Sequence, residues 1–347
     1  MNNPPTSSTL PSAALVLAIC KPLPDPIPLK IQFPISKSSF LSASRRRFIA
    51  LAGTAAALGA APSRLSAAAA SAPAAKAELQ VLLDLEIHRV PTAEGTRVLT
   101  MDLWLPRRAG ARIPLVIYIH GGAWREGTQY RPPFRPRLFD HGIGIAAITY
   151  RFTHEAPFPA MLHDCKLALR WLRAHAGAYG IDPARFALWG ISAGGHLVSL
   201  MGLTDDDPAA EGDGPWREHT GRMRAVVNWC GPSDLVRTMT DPFPGAEMRT
   251  LVPQVIGGSL DTQREVALAA SPLHYARKYG AKRCPPLLIV HGAKDDIVPA
   301  YHANSFHAAM REAGADSELL LMPELGHALD HPTVAARTEA FLRRHLT

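Results

Sequence analysis

The chain has 347 residues, of which 47% are hydrophobic, and this content provides for a sizeable buried core and excludes a wholly disordered chain. The formal net charge of +7 is concentrated in residues 1–75, where seven Lys or Arg residues face a single acid, Asp25. Beyond residue 75, basic side chains outnumber acidic ones by only one, so the expected folded part carries no charge suited to a nucleic-acid backbone.

Residues 1–75 predict a disordered leader that contains an export signal. Residues 1–40 are rich in Pro and Ser, and three consecutive arginines in residues 44–49 precede an apolar stretch at residues 50–61. This order is typical of a twin-arginine signal, which predicts a periplasmic or extracellular protein and a translation start inside the leader. The alternatives are a membrane anchor or a tail that contains arginines. The apolar stretch is shorter than the ~18–20 residues that span a bilayer, so we expect no stable membrane span.

From about residue 78 the pattern alternates between strands and helices, which predicts one α/β domain over residues 76–347. Residues 115–119 form an apolar, β-branched run, as expected for a strand covered on both faces. Residues 162–172 repeat apolar side chains every three or four positions, which predicts a helix. The sheet is expected to be mostly parallel, with helices on both faces. The other predicted strands are residues 143–150, 186–189, 225–230, 287–290 and 318–322, with an antiparallel edge at residues 82–90 and 97–105.

A candidate nucleophile lies in residues 185–201, which predict a strand, a sharp turn and a helix. The turn has the sequence Gly190-Ile191-Ser192-Ala193-Gly194. Small neighbours permit a strained turn that lifts the hydroxyl group above the sheet, where a substrate carbonyl can reach it. Ordinary tight turns also match G-x-S-x-G, but the flanking strand and helix favour a nucleophilic serine.

A candidate oxyanion loop, with the sequence HGGAW, occupies residues 120–124 directly after an apolar strand. Glycines let backbone N–H groups approach a developing oxyanion, and we expect those of Gly121, Gly122 and Ala193 to form the oxyanion hole. The alternative is a simple Gly-Gly turn. Trp124 is a candidate wall of the substrate pocket or, alternatively, a core side chain.

A serine nucleophile needs a histidine to remove its proton and a carboxylate to hold that histidine. Asp295 and Asp296 lie in the loop after the predicted strand at residues 287–290, and His327 follows the last predicted strand. The order serine, acid, histidine along the chain matches a Ser-His-Asp triad on a sheet of this kind.

Several further segments resemble the α/β-hydrolase esterases related to hormone-sensitive lipase, and among them the feruloyl-esterase-like branch. The resemblance covers about residue 115 to the C-terminus and implies an α/β-hydrolase fold with an eight-stranded sheet. The family pattern H-G-x-x-D-x-x-V-P falls on residues 291–299 and favours Asp295 over Asp296. Ala123 stands where many lipase-like relatives have a third glycine. The segments are residues 155–159 (EAPFP), 169–174 (LRWLRA), 179–183 (YGIDP), 192–197 (SAGGHL) and 231–235 (GPSDL).

Other features point away from metal chemistry and toward a covered site. Residues 205–213 carry five acids without the spacing of an EF-hand, so a solvated loop is favoured over a calcium site. The four cysteines show no C-x-x-C spacing, and neither H-E-x-x-H nor a phosphate-binding loop is present, so we expect no cofactor and no metal. Residues 235–282 are long enough to form a small cap over the site.

Together these features predict a serine hydrolase that cleaves carboxylic esters through an acyl-enzyme. The resemblance implies acetyl, feruloyl or other short-acyl esters as substrates, as small molecules or on plant polysaccharide. Two alternatives stay open. One is an amide hydrolase of the peptidase or formamidase type, because a triad by itself does not distinguish esters from amides; the other is a non-catalytic binding protein on the same fold.

Overall fold

The computed structural model describes residues 78–347 except 108–109, 130–131, 134, 206, 220 and 242–245. The predicted leader and export signal lie outside the described residues, and the predicted domain boundary at residue 76 stays a prediction. Among the helices of the described part, none combines the length and the apolar character that crossing a bilayer requires.

A single eight-stranded sheet organises the described residues. Its strands are Glu78–Thr92 (β1), Gly95–Arg107 (β2), Ile113–Ile119 (β3), Gly144–Ile148 (β4), Ile181–Ile191 (β5), Ala225–Trp229 (β6), Leu287–Gly292 (β7) and Ser317–Met322 (β8). They lie in the order β1-β2-β4-β3-β5-β6-β7-β8. The β1–β2 and β2–β4 pairs are antiparallel, and the other pairs are parallel. The prediction of a mostly parallel sheet with an antiparallel edge is confirmed.

Helices occupy most of the connections between the strands. They are Arg135–Asp140 (α1), Ala160–Ala174 (α2), Ala176–Tyr179 (α3), Ala193–Leu203 (α4), Pro208–Glu211 (α5), Leu235–Thr240 (α6), Ala246–Ile256 (α7), Leu260–Ala269 (α8), Pro272–Tyr279 (α9), Tyr301–Glu312 (α10) and Pro332–Leu346 (α11). Four of them, α6 to α9, fall in the region that was predicted to be a small cap. Short 3₁₀ turns lie at Arg217–His219 and Gly280–Lys282.

The two faces of the sheet are buried by different helices. Along β3, Leu115, Ile117 and Ile119 belong to one apolar cluster, which includes buried side chains of α2, α4 and α10. Val116 and Tyr118 point to the opposite face, where they share a cluster with side chains of α1 and α11. Alternate residues of a strand face opposite sides of a sheet, so the continuous apolar run of β3 follows from burial on both faces.

The strand β5 begins well before the position that its sequence pattern predicts. The apolar run of β5 predicts a strand over residues 186–189, but β5 begins at Ile181, which pairs with Ile113 ahead of a register shift. Asp182 and Pro183 interrupt the apolar pattern at this point, so the sequence pattern does not indicate where the strand begins.

The acidic segment at residues 205–213 is not the wholly solvated loop that its composition predicts. Glu211 is largely buried, and its carboxylate lies 2.5 Å from Lys166 Nζ and 3.1 Å from the Arg170 guanidinium. The backbone carbonyl of Glu211 accepts another hydrogen bond from Arg170, at 2.7 Å. Glu211 therefore neutralises two buried cations of α2 and ties α5 to that helix.

Candidate active site

Ser192 is the single residue between the end of β5 and the beginning of α4, and it lies in a strained turn. Its backbone has φ 55° and ψ −121°, a conformation that residues other than glycine rarely adopt. The Ser192 N–H group donates to the carbonyl of Trp229, 2.8 Å away, and this bond ties the turn to β6. A Cβ atom on Gly194 would lie 2.0 Å from the carbonyl oxygen of Ile119, so only glycine lets α4 begin this close to β3.

His327 joins Ser192 to Asp295 in one chain of hydrogen bonds. Its Nε2 atom lies 2.9 Å from Ser192 Oγ, and its Nδ1 atom lies 2.8 Å from Asp295 Oδ2. Asp295 is buried, and its second oxygen accepts the N–H groups of Ile297 and Val298 at 3.0 and 2.8 Å. Asp296 is exposed. The structure thus brings together three of the residues predicted from sequence, with Asp295 rather than Asp296 beside the histidine.

The surroundings of Asp295 and His327 favour their charged forms. Burial acts to raise the pKa of Asp295, but hydrogen bonds from His291 and His327 outweigh it and hold that pKa well below the ordinary 3.8. Burial likewise acts to lower the pKa of His327, and the hydrogen bond with Asp295 outweighs it and raises that pKa above the ordinary 6.5. The pair can therefore stabilise an imidazolium ion next to the Ser192 hydroxyl group.

His291 is a buried neighbour of Asp295 that was not among the predicted site residues. It is fully buried, and its Nε2 atom lies 2.7 Å from the carbonyl oxygen of Val298 and 3.3 Å from Asp295 Oδ2. By donating to that carbonyl, His291 closes the loop that carries Asp295. The sequence feature that could have identified His291 is its place as the first residue of the H-G-x-x-D-x-x-V-P pattern.

The predicted oxyanion loop lies directly against the serine turn. A Cβ atom on Gly121 would be 3.2 Å from Ser192 Cβ and 2.9 Å from the carbonyl oxygen of Ile191. Gly122 has φ +107°, and its carbonyl accepts the N–H groups of Arg125 and Glu126 in a tight turn. Gly121 therefore lies against Ser192, Gly122 follows Gly121 in the chain, and Ala193 directly follows the serine. The role of these three N–H groups toward an oxyanion stays a prediction.

A buried histidine supports the oxyanion loop from below. His120 Nδ1 lies 2.7 Å from the carbonyl oxygen of Gly121, and the ring stacks on Tyr150 with centroids 4.5 Å apart. The Tyr150 hydroxyl group donates to the carbonyl oxygen of His120 at 3.1 Å. Burial lowers the pKa of His120 to about 4, so the ring is neutral near neutral pH and its Nδ1–H group donates to Gly121.

A second buried histidine connects the oxyanion loop to the cap region. Trp124 Nε1 donates to His196 Nδ1 at 3.2 Å, and His196 Nε2 donates to the carbonyl oxygen of Ala270 at 2.6 Å. Burial lowers the pKa of His196 to about 4, which keeps the neutral tautomer that both bonds require. Trp124 is only 1% exposed, so it packs in the core of this structure, and its contact with a substrate stays a prediction.

Comparison with known proteins shows the family to which the chain belongs. The BD-FAE family model matches residues 101–310, a span that contains Ser192 and Asp295 and ends before His327. The chain is 32% identical over 248 residues to Esterase LipQ of Mycobacterium tuberculosis (strain ATCC 25618 / H37Rv), and the match covers 70% of this chain and 56% of LipQ. The chain spans a little more than half the length of the first curated relatives that it matches.

Solved structures share the fold. A bifunctional GH43-CE protein of Bacteroides eggerthii matches with a TM-score of 0.67 and 26% identity, over 77% of this chain and 38% of that protein. A truncated form of a carbohydrate esterase from gut microbiota matches with a TM-score of 0.66 and 23% identity, over 77% of this chain and 96% of that protein. Together with the sheet order, these likenesses show an α/β-hydrolase fold, as the sequence predicts.

Proposed function

Because the chain belongs to the BD-FAE family, we propose that it is a carboxylic-ester hydrolase with Ser192 as its nucleophile. The observation that carries the proposal is the hydrogen-bonded series Ser192–His327–Asp295, with distances of 2.9 and 2.8 Å. The relative named as an esterase, LipQ of Mycobacterium tuberculosis, supports the same activity.

In the first half of the reaction Ser192 becomes acylated. His327 Nε2 takes the hydroxyl proton while Ser192 Oγ forms a bond to the ester carbonyl carbon, and the carbonyl oxygen becomes an oxyanion. Asp295 stabilises the resulting imidazolium through the bond to Nδ1. When the tetrahedral intermediate collapses, His327 returns the proton to the departing alcohol, and the acyl group stays on Ser192.

The oxyanion is held by backbone N–H groups of Gly121, Gly122 and Ala193. Fixed donors of this kind act where charge develops, and they need little reorganisation during the reaction. In the second half, His327 takes a proton from water as the water oxygen attacks the acyl carbonyl carbon. Collapse of the second intermediate releases the carboxylic acid and returns the proton to Ser192 Oγ.

The proposed substrates are acetyl, feruloyl or other short-acyl esters, either small or attached to plant polysaccharide. The resemblance to feruloyl-esterase-like proteins and the likeness to a bifunctional GH43-CE protein support this class. We also propose export by the twin-arginine-like leader, which would bring the enzyme to substrates outside the cytoplasm.

Hydrolysis of p-nitrophenyl acetate by the full chain tests the nucleophile. We expect Ser192→Ala to lower kcat by about a thousandfold or more, since the loss of a triad serine leaves only binding and oxyanion stabilisation. Ser259→Ala, at an exposed serine in the cap region, is the matched control and should retain the wild-type rate. Equal rates for wild type and Ser192→Ala would refute the assignment.

Two further measurements separate the alternatives. Comparison of p-nitrophenyl acetate with p-nitroacetanilide distinguishes an esterase from an amidase, and we expect kcat/KM to be higher for the ester. A fluorophosphonate probe should label Ser192 in the folded protein, whereas a non-catalytic binding protein would stay unlabelled. A screen of acetyl-xylan, methyl ferulate and short aryl esters then ranks the acyl groups.

A further inference from the structure

A cysteine with no role in the proposed reaction lies between the nucleophile and the acid. Cys230 follows the last residue of β6, and β6 lies between β5, which leads to Ser192, and β7, which leads to Asp295. Its N–H group donates to the carbonyl oxygen of Val290 at 2.8 Å. The carboxyl ends of parallel strands meet at one edge of a sheet, so the sheet order brings Cys230 to the same edge as the candidate triad.

The backbone of Cys230 is strained, and its thiol group faces the candidate base. The residue has φ 42°, which is uncommon for any residue except glycine, and its side chain is fully buried. Its Sγ atom lies 3.6 Å from the carbonyl oxygen of His327. Strained residues that persist in a folded protein cluster at functional sites, which makes this position worth testing for a function.

Cys230 forms a compact group of metal-binding side chains with Asp295 and His327. One ligand atom from each of these three residues lies within 4.8 Å of the other two. Zinc binds cysteine sulfur, histidine nitrogen and carboxylate oxygen at about 2.0–2.3 Å, so small side-chain rotations would allow all three to reach one ion. The group is mostly buried, unlike the exposed acidic clusters that are common on protein surfaces.

We propose that Cys230, Asp295 and His327 form an inhibitory site for a thiophilic divalent cation such as Zn²⁺ or Cd²⁺. The cation replaces the thiol proton of Cys230, which is released to solvent, and bonds to Nδ1 of His327. The imidazole proton, which lies on Nδ1 toward Asp295 in the metal-free protein, moves to Nε2, the atom that faces Ser192, so His327 cannot accept the hydroxyl proton. Inhibition as a readout rests on the proposed function, whereas binding of the cation does not.

Cadmium titration of the full chain tests the site by two independent readouts. The first is the ultraviolet charge-transfer absorption of a cadmium–thiolate bond, which requires no enzyme activity. The second is the rate of p-nitrophenyl acetate hydrolysis, relative to the rate of the same variant without metal. We expect absorption and inhibition to rise together in the wild type and to be reversed by a chelator.

Cys230→Ala should remove the corresponding part of the absorption and raise the inhibitory cadmium concentration by about tenfold or more. Cys165→Ala and Cys284→Ala, at the other two described cysteines, are the matched controls and should leave both readouts unchanged. If Cys230→Ala fails to fold in a thermal melt, Cys230→Ser takes its place.

Absorption and inhibition that persist after removal of Cys230, or that disappear with Cys165 or Cys284 instead, would overturn the proposal. Absence of the charge-transfer band in the wild type would overturn it as well. A band that depends on Cys230 in a protein that hydrolyses no ester would support the metal site and contradict the proposed esterase, so the two failures are distinguishable.

Discussion

Ser192 holds a conformation that a glycine would adopt more easily, with φ 55° and ψ −121°. Strain of this type costs about 1–3 kcal/mol at a single residue. Its hydrogen bond to β6 and the close approach of α4 to β3 keep the turn in place. The proposed nucleophile is therefore held above the sheet at some cost to the stability of the folded protein.

We expect Ser192→Gly to be more stable than Ser192→Ala, although both lack the Ser192 hydroxyl group. Glycine relieves the strain at positive φ, which outweighs the ~0.4–1 kcal/mol that it loses through a more flexible unfolded chain. Urea unfolding of the two variants measures the difference directly. A Ser192→Ala protein as stable as Ser192→Gly would show that the turn is not strained.

His327 predicts the pH dependence of the reaction. As the proposed base, His327 accepts a proton only when it is neutral. Its pKa is raised above 6.5, so we expect activity to rise as pH increases through this raised value. We therefore expect the acid limb of the kcat/KM profile for p-nitrophenyl acetate to have its midpoint above pH 6.5. A midpoint at or below that pH would contradict the assigned hydrogen bond between His327 and Asp295.

At the scale of elements, His196 couples the oxyanion loop, α4 and the end of α8. Its two hydrogen bonds satisfy the indole of Trp124 and the carbonyl of Ala270. This connection makes the position of the loop dependent on the cap region. A change of one buried side chain should therefore affect both stability and reaction rate.

We expect His196→Ala to leave both of these buried partners unsatisfied, at about 1–3 kcal/mol for each group. The free energy of unfolding should fall, and kcat should fall by about tenfold or more as the proposed oxyanion donors lose their alignment. His196→Asn, which can replace one of the bonds, should recover part of kcat. Unchanged kcat in His196→Ala would show that the loop keeps its position without this histidine.

The loop after β4 is fastened to α2 by a buried ion pair. Asp164, 1% exposed, lies 2.7 Å from the Arg151 guanidinium and also accepts the backbone N–H group of Arg151 at 2.8 Å. Removing one member of such a pair leaves an uncompensated buried charge, and we expect Asp164→Ala to cost about 3–5 kcal/mol of unfolding free energy. The exposed pair of Arg89 and Glu86 offers a control, because Glu86→Ala should change stability by less than ~1 kcal/mol. Urea unfolding distinguishes the two, and equal losses would contradict the expectation.

For the molecule as a whole, the features that could be predicted are those that short sequence patterns indicate. The apolar runs, the glycines around Ser192 and the order of serine, acid and histidine are visible without knowledge of distant contacts. The strand order and the position of Asp295 beside His327 agree with those expectations. These features follow from burial on both faces of a sheet and from the meeting of strand ends at one edge.

The features that the sequence did not reveal depend on contacts between distant residues. His196 bonds to a carbonyl 74 residues away, and its type alone does not distinguish a structural histidine from a reactive one. Glu211 appeared solvated because its partners, Lys166 and Arg170, lie 45 and 41 residues earlier on another helix. Side chains of this kind acquire their roles only when the chain has folded.

The same separation along the chain has a kinetic consequence. Ser192 and His327 are 135 residues apart and meet only through the ends of parallel strands. Parallel pairing across such distances forms slowly, because loop closure precedes the contacts that compensate for it. Helix formation should therefore be nearly complete early in refolding, before Ser192 and His327 meet. The proposed hydrolytic activity should then return as one of the last signals of folding.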